Sequence, residues 1–109
     1  MMLLELREYV AAPGRAADLH ARFADHTMAL FAKHGMEVVG FWTDAEDEGR
    51  IIYLLRFASL EAKSAAWEAF KADPEWQKVK ASSEVSGPIM TSLTSTVLAP
   101  VPYFDGGLS

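Results

Sequence analysis

The sequence predicts an α+β domain of the ferredoxin-like kind, a four-stranded antiparallel sheet with helices on one face. Three observations predict it. Segments patterned for strand and helix follow one another in the order βαββαβ. The two middle strands are separated by a short acidic loop, which reads as a hairpin. The chain has 109 residues, 50% of them hydrophobic, enough for one core and no second.

The first strand is Leu3 to Val10. Leu4, Leu6 and Val10 share one parity, and Leu3, Glu5, Arg7 and Tyr9 share the other. Pro13-Gly14 ends it. A helix follows from about Arg15 to His34, in which Leu19, Phe23, Leu30 and Phe31 recur at helical spacing. His26 and Thr27 fill the turn between, while Arg15, Asp18, Arg22, Asp25 and Lys33 fall mostly on solvated faces. Gly35 stands where a left-handed C-cap favours glycine. Met36 to Thr43 reads as the second strand, Asp44 to Gly49 as a turn, and Ile51 to Phe57 as the third strand.

Ser59 is an N-cap residue with Glu61 in the first turn behind it. Leu60, Trp67 and Phe70 then form an apolar stripe padded with alanine. Asp73-Pro74-Glu75 restarts the chain, with aspartate as N-cap and proline at the first helical position. Trp76 and Val79 anchor this helix, which runs to about Ser83. Ile89 to Leu98 is a fourth strand rich in Thr and Ser. Residues 1–109 read as a single domain with a core at about 3–99 and a tail, 100–109, that carries Tyr103-Phe104.

The third strand is apolar on both faces. Ile52 and Leu54 point one way, and Ile51, Tyr53, Leu55 and Phe57 the other. Helices cover only one face of the sheet. A second copy is the simplest cover for the other, so a homodimer with facing sheets is expected.

Composition excludes several function classes. The formal net charge of −5, without a basic cluster, argues against a nucleic-acid partner. The chain has no cysteine, hence no disulfide, no thiolate metal site and no cysteine nucleophile. No run approaches the roughly 20 apolar residues of a membrane span. Met1 to Leu4 is too short for a signal peptide, so a cytoplasmic protein is expected. The G-x-S-x-G, Walker A and G-x-G-x-x-G patterns do not occur. His20, His26 and His34 lie six and eight apart, not at a helical metal-binding spacing, and neither a metal nor a cofactor is expected.

Several motifs together resemble one family. Glu5-Leu6-Arg7-x-Tyr9 followed by Pro13-Gly14 resembles the opening motif of the NIPSNAP family. His26-Thr27-Met28-x-Leu30-Phe31-x-Lys33-His34-Gly35-Met36, then Val39-Gly40-Phe41-Trp42, is similar to its helix-to-strand junction. Tyr53-Leu54-Leu55-Arg56-Phe57-x-Ser59-Leu60 and Asp73-Pro74-Glu75-Trp76 resemble its third strand and late helix. The resemblance covers Glu5 to about Pro102. It implies a dimeric α/β barrel, in a superfamily that also holds antibiotic-biosynthesis-type monooxygenases and haem-degrading enzymes. It implies no particular activity.

Glu5, Arg7 and Tyr9 share a parity. With Leu4 and Leu6 toward the helices, this polar trio points between the two sheets of the barrel. There an acid, a guanidinium and a phenol would orient a small polar ligand, and a buried carboxylate would serve as a base. The simpler reading pairs Glu5 and Arg7 with each other, or with Arg56 and Glu37, to set register or the dimer. His26, on the apolar stripe, reads either as a base, proton shuttle or haem ligand, or as a partly buried imidazole bonded to a carbonyl. Haem would need a histidine facing the chamber, and a residue on that stripe points to the other face of the sheet. Trp42 stands at a strand end, where a barrel mouth would lie. The candidate ligand-pocket residues are Glu5, Arg7, Tyr9, His26, Trp42, Tyr53 and Arg56. The expected function is binding of a small apolar or aromatic molecule between the sheets, and analogy with barrel relatives extends this to a cofactor-free oxygenase-like enzyme. The alternative is a non-enzymatic homodimeric module whose barrel is simply packed.

Overall fold

Four strands pair antiparallel in the order β2-β3-β1-β4: β1 (Leu3–Ala11), β2 (Glu37–Asp44), β3 (Asp47–Phe57) and β4 (Met90–Leu98). The computed structural model describes residues 2–104; residue 1 and the end of the tail, 105–109, lie outside the described residues. The helices are α1 (Ala16–Arg22), α2 (Met28–Lys33), α3 (Leu60–Ala72) and α4 (Pro74–Ser83). This is the predicted βαββαβ order, with α3 and α4 both between β3 and β4. No helix among the described residues is long and apolar enough to cross a membrane.

Between α1 and α2 the rod widens into a π-helical turn, Phe23–Thr27. The backbone stays helical at both junctions, and the N–H of Met28 donates to the carbonyl of Phe23. A wider turn carries more residues per revolution than an α-helix. Thr27 therefore rotates onto the buried stripe with Leu19, Phe23, Leu30 and Phe31, and His26 rotates off it into solvent. This corrects the placement of His26 on the apolar face. Periodicity of 3.6 puts it there, and the extra residue in the turn removes it.

Sheet register decides which parity faces the helices. Glu5 lies opposite Leu55, Arg7 opposite Tyr53 and Tyr9 opposite Ile51. Leu3, Tyr9, Ile51, Tyr53, Leu55 and Phe57 join Leu19, Phe23, Leu30, Phe31 and Phe70 in the core. The orientation is thus the reverse of the expected one. Glu5, Arg7 and Tyr9 lie beneath the helices, and Leu4 and Leu6 lie on the open face. Both parities of β1 and β3 carry large apolar residues, so alternation alone does not choose between them. The bulky rings of Tyr9, Tyr53 and Phe57 fill the space under the helices.

The β2–β3 hairpin is tighter than the predicted Asp44–Gly49 loop, because β3 already begins at Asp47. Side chains compensate the charged turn. Asp44 accepts the N–H of Glu46 at 2.9 Å and Asp47 that of Gly49 at 3.0 Å. Arg50 bonds both Asp44 and Glu8 across the strands.

The open face presents Leu4, Leu6, Ile52 and Leu54, with Trp42, Val10 and Leu98 more exposed around them. Trp42 lies flat along β2. A Cβ at Gly40 would collide with the edge of its ring, so only glycine lets the indole rest there. Arg56 is on this face too, paired with Glu37 at 2.9 Å.

Both late helices begin as predicted. Ser59 accepts the N–H of Ala62 and Asp73 that of Glu75. Asp73 is also buried against the end of α2, 2.8 Å from Lys33 and 2.7 Å from His34. Bonds from Lys33, the Glu75 backbone and His34 hold its carboxyl at about 2, below the ordinary 3.8. The folded state binds this proton more weakly than the unfolded chain. Its stabilisation is therefore full above 3.8 and is lost as pH falls through about 2. Asp73→Asn keeps a capping oxygen but loses the charge. It should lower Tm by several degrees near neutral pH, with the gap closing between about pH 4 and pH 2 in thermal melts. A gap that persists at the acid end would show that the carboxylate's charge is not the cause.

Candidate functional site

A cavity of about 360 Å³ lies between the sheet and the helices. Its floor is Arg7 and Tyr9 of β1, with Met90 and Leu93 of β4 beside them. One wall is the helical rod, through Arg22, Phe23, Thr27 and Phe31. The roof is the α3–α4 corner, with Trp67, Phe70 and Trp76 inside and Lys71, Gln77 and Lys80 at the exposed rim. The π turn shapes the wall, because it brings Arg22, Phe23 and Thr27 to one side. Thr27 seals the turn by donating its hydroxyl to the Arg22 carbonyl at 3.2 Å.

The polar floor is a single connected network. Glu5 is 1% exposed and accepts from Arg7 Nη1 at 2.9 Å, Trp67 Nε1 at 2.7 Å and Ser95 Oγ at 2.5 Å. Burial alone would push its carboxyl up, but the bonds from Ser95, Trp67 and Arg7 together hold it below the ordinary range. It is therefore an ionised anchor and not the base expected from burial. The Arg7 guanidinium lies 4.1 Å from the centre of the Trp67 ring, stacked in a cation–π contact. Its Nε donates to Tyr53 at 3.0 Å and its Nη2 to Tyr9 at 2.9 Å.

The two phenols lie 3.0 Å apart. Tyr53 is fully buried, and burial foremost, then Tyr9, raises its hydroxyl well above the ordinary value, so it keeps its proton. Among the described residues the one acceptor within its reach is Tyr9. An unmade bond at a buried hydroxyl costs roughly 1–3 kcal/mol, so Tyr53 donates to Tyr9. The Tyr9 oxygen then has both lone pairs filled, by Arg7 and Tyr53. Its own proton is left for the cavity that Tyr9 lines. The floor thus offers a polarised O–H donor backed by a guanidinium.

Of the candidate residues, Glu5, Arg7, Tyr9 and Tyr53 come together here, with Tyr53 behind the lining. Trp42 and Arg56 lie on the open face of the sheet, and His26 is exposed on the outer side of the π turn. They do not join the site. Arg56 and Glu37 pair apart from Glu5 and Arg7, on opposite faces. Sequence reasoning put Arg22 in solvent and left Trp67 and Trp76 as packing or cover. Arg22 is buried instead, bonded to Ser83 and Glu84 and 5.2 Å from the centre of the Trp76 ring. Nothing in the local pattern marks the π turn that buries it. The spacing of Trp67 from Phe70 marked an inward face, yet not the indole N–H reaching Glu5. No cluster of three or more metal-ligating side chains occurs among the described residues.

The NIPSNAP family profile matches residues 4–104. The chain belongs to the NIPSNAP family. An uncharacterised NIPSNAP-like domain protein from Burkholderia xenovorans is 21% identical with a TM-score of 0.80, over 95% of this chain and 89% of that one. A NIPSNAP family protein from Agrobacterium tumefaciens is 18% identical at a TM-score of 0.82, over 94% and 96%. A protein from Bacteriodes thetaiotaomicron, named after antibiotic biosynthesis monooxygenases, is 17% identical at 0.66, over 96% and 92%. These likenesses show the fold that this NIPSNAP chain shares with them. No curated protein matches the chain.

Proposed function

We propose that this NIPSNAP protein binds a small aromatic molecule in the cavity between helices and sheet, with an oxygen of the ligand on Tyr9 and Arg7. The observation that carries the reading is the aromatic lining above the Arg7–Tyr9 floor, in a volume of about 360 Å³. Ligand cavities are typically mostly apolar, with a few convergent polar groups. The site lies under the helices and not between two sheets, because the polar parity of β1 faces the helices. Trp67 and Trp76 line the cavity, so binding should change tryptophan fluorescence. Titration with 1-naphthamide, which carries one neutral carbonyl, should saturate. Tyr9→Phe should weaken it about tenfold, by loss of one hydrogen bond to a polarised donor. Leu93→Trp, at the half-open edge of β4, should block it while leaving the core intact. Equal binding by all three proteins would place the probe elsewhere and end the reading. The finer form of the reading is cofactor-free oxygenase-like chemistry on the bound ligand. It is supported by the name of the Bacteriodes neighbour and by the Tyr9 and Arg7 donors, which suit a developing oxyanion. Ligand-dependent oxygen uptake tests it.

The open face supports a second element of the proposal, a homodimer. Leu4, Leu6, Ile52 and Leu54 form an apolar centre, rimmed by the Arg50–Glu8 and Arg56–Glu37 pairs. Large exposed apolar patches are rare on soluble monomers. A second copy of the same face meets it with the same centre and the same rim. Sedimentation velocity should give a dimer, and Leu54→Glu, which puts an unpaired charge at the centre, should give a folded monomer. A wild-type monomer at micromolar concentration would remove the dimer and leave the cavity untouched.

A further inference from the structure

The charge around the cavity narrows the ligand class. Four cationic side chains line it, Arg7, Arg22, Lys71 and Lys80, and no Asp or Glu does. This is unexpected in a chain with fifteen acidic residues against ten basic ones. Two carboxylates offset these cations from behind the lining. Glu5 pairs with Arg7, and Glu84 is shared by Arg22 at 3.0 Å and Lys80 at 3.4 Å. Lys71 has no ion pair among the described residues. Four cations against two carboxylates leave the site with an excess of two positive charges.

The hydrogen-bonding groups agree with the charge. Thr27 and Gln77 can accept as well as donate, but Arg7, Arg22, Lys71 and Lys80 donate and cannot accept, and the free valence of Tyr9 is a donor, so donors prevail in the lining. Nη1 and Nη2 of Arg7 each use one of two hydrogens on Glu5 and Tyr9, which leaves one N–H apiece. The ligand best suited to this lining accepts hydrogen bonds and offsets positive charge. Its body must be flat and apolar to lie among Phe23, Phe31, Trp67 and Trp76.

Resting on the small-molecule reading above, we infer that the cavity selects aromatic anions, of which carboxylates are the simplest, and that Lys71 and Lys80 at the rim supply the selectivity. The floor donors hold one oxygen of the ligand. The rim lysines face the water from which the ligand enters, where the excess positive charge, unpaired at Lys71, also speeds the approach of anions.

The experiment compares two probes of one shape, 1-naphthoate and neutral 1-naphthamide, by tryptophan quenching at fixed ionic strength. Wild-type protein should bind 1-naphthoate at least about tenfold more tightly, as expected for attraction between partly solvated unit charges. Raising the salt should shrink that ratio, since exposed charges are screened. Lys71→Met/Lys80→Met alters two exposed side chains and should keep the fold. It should bring the ratio of the two affinities near one, whatever the change in either affinity alone. Equal binding of both probes by the wild type would overturn the inference and leave the small-molecule reading standing. A preference that survives the double substitution would overturn the assignment to the lysines. Failure of both probes to bind would overturn the inference and the reading together.

Discussion

Glu5→Leu should lower the melting temperature by roughly 12–24 °C, and Glu5→Leu/Arg7→Leu should recover most of that loss. The asymmetry follows from what each change leaves behind. Glu5 is 1% exposed and holds three donors, from Arg7, Trp67 and Ser95. Without it the Arg7 guanidinium remains between Trp67 and the phenols as an uncompensated charge. Removing one partner of a buried pair costs about 3–5 kcal/mol. Solvent reaches part of Arg7, whose side chain is 12% exposed, so the lower end applies. At about 4–8 °C per kcal/mol for a domain near this size, the shift is large and easily read by circular dichroism. Removing both charges exchanges an ion pair for apolar packing, which is often nearly neutral. Tyr9 and Tyr53 still bond each other in the double variant. If single and double variants melt together, the charge is not the cause and the coupling assigned to the pair is absent.

How much of this was legible in the sequence varies by level. Turn and cap chemistry was plain. Gly35 adopts a left-handed φ of 67° after α2, and Ser59 and Asp73 cap the helices where their spacing puts them. The order of strands followed from the hairpin and the segment pattern. What alternation did not settle was which side of β1 faces the helices, because Leu4 and Leu6 are as apolar as Leu3. The size of the opposing rings settles it in three dimensions. The π turn was also hidden, since Thr27 and His26 compete for one position on a stripe and a single extra residue decides between them. The cavity rim was hidden for a different reason. Nothing in the sequence pattern singles out Lys71 and Lys80, which stand on two helices, and only the α3–α4 corner at Asp73 brings them to one opening.

Phe31→Ala should cost about 3 kcal/mol, and it should make the cavity accept a larger aromatic probe. Phe31 is 1% exposed and joins the helical rod to both the sheet and α3, with ring centres 5.7 Å from Tyr53, 5.4 Å from Phe70 and 5.9 Å from Trp67. Removing its ring forfeits contacts on those sides. It already borders the cavity on one side, so that part of its surface has no packing to lose and the low end of the range applies. Against a total stability of about 5–15 kcal/mol, the variant stays folded but melts clearly lower. The space vacated is continuous with the cavity and lined by rings. A tricyclic amide, 9-anthracenecarboxamide, should therefore bind the variant more tightly than the wild type, with 1-naphthamide showing the opposite order. At a hundred times its Kd the larger probe returns about 2.7 kcal/mol to the folded state by mass action, and most of the lost melting temperature with it. Three outcomes are distinct in melts with and without probe. Destabilisation with rescue by the tricyclic amide places the ligand site beside Phe31. Destabilisation without rescue leaves Phe31 as packing and shows that the vacated space is closed to solutes. A variant that melts like the wild type would mean that the helical rod is held to the sheet by other contacts, and that the aromatic cluster is not the centre of the core.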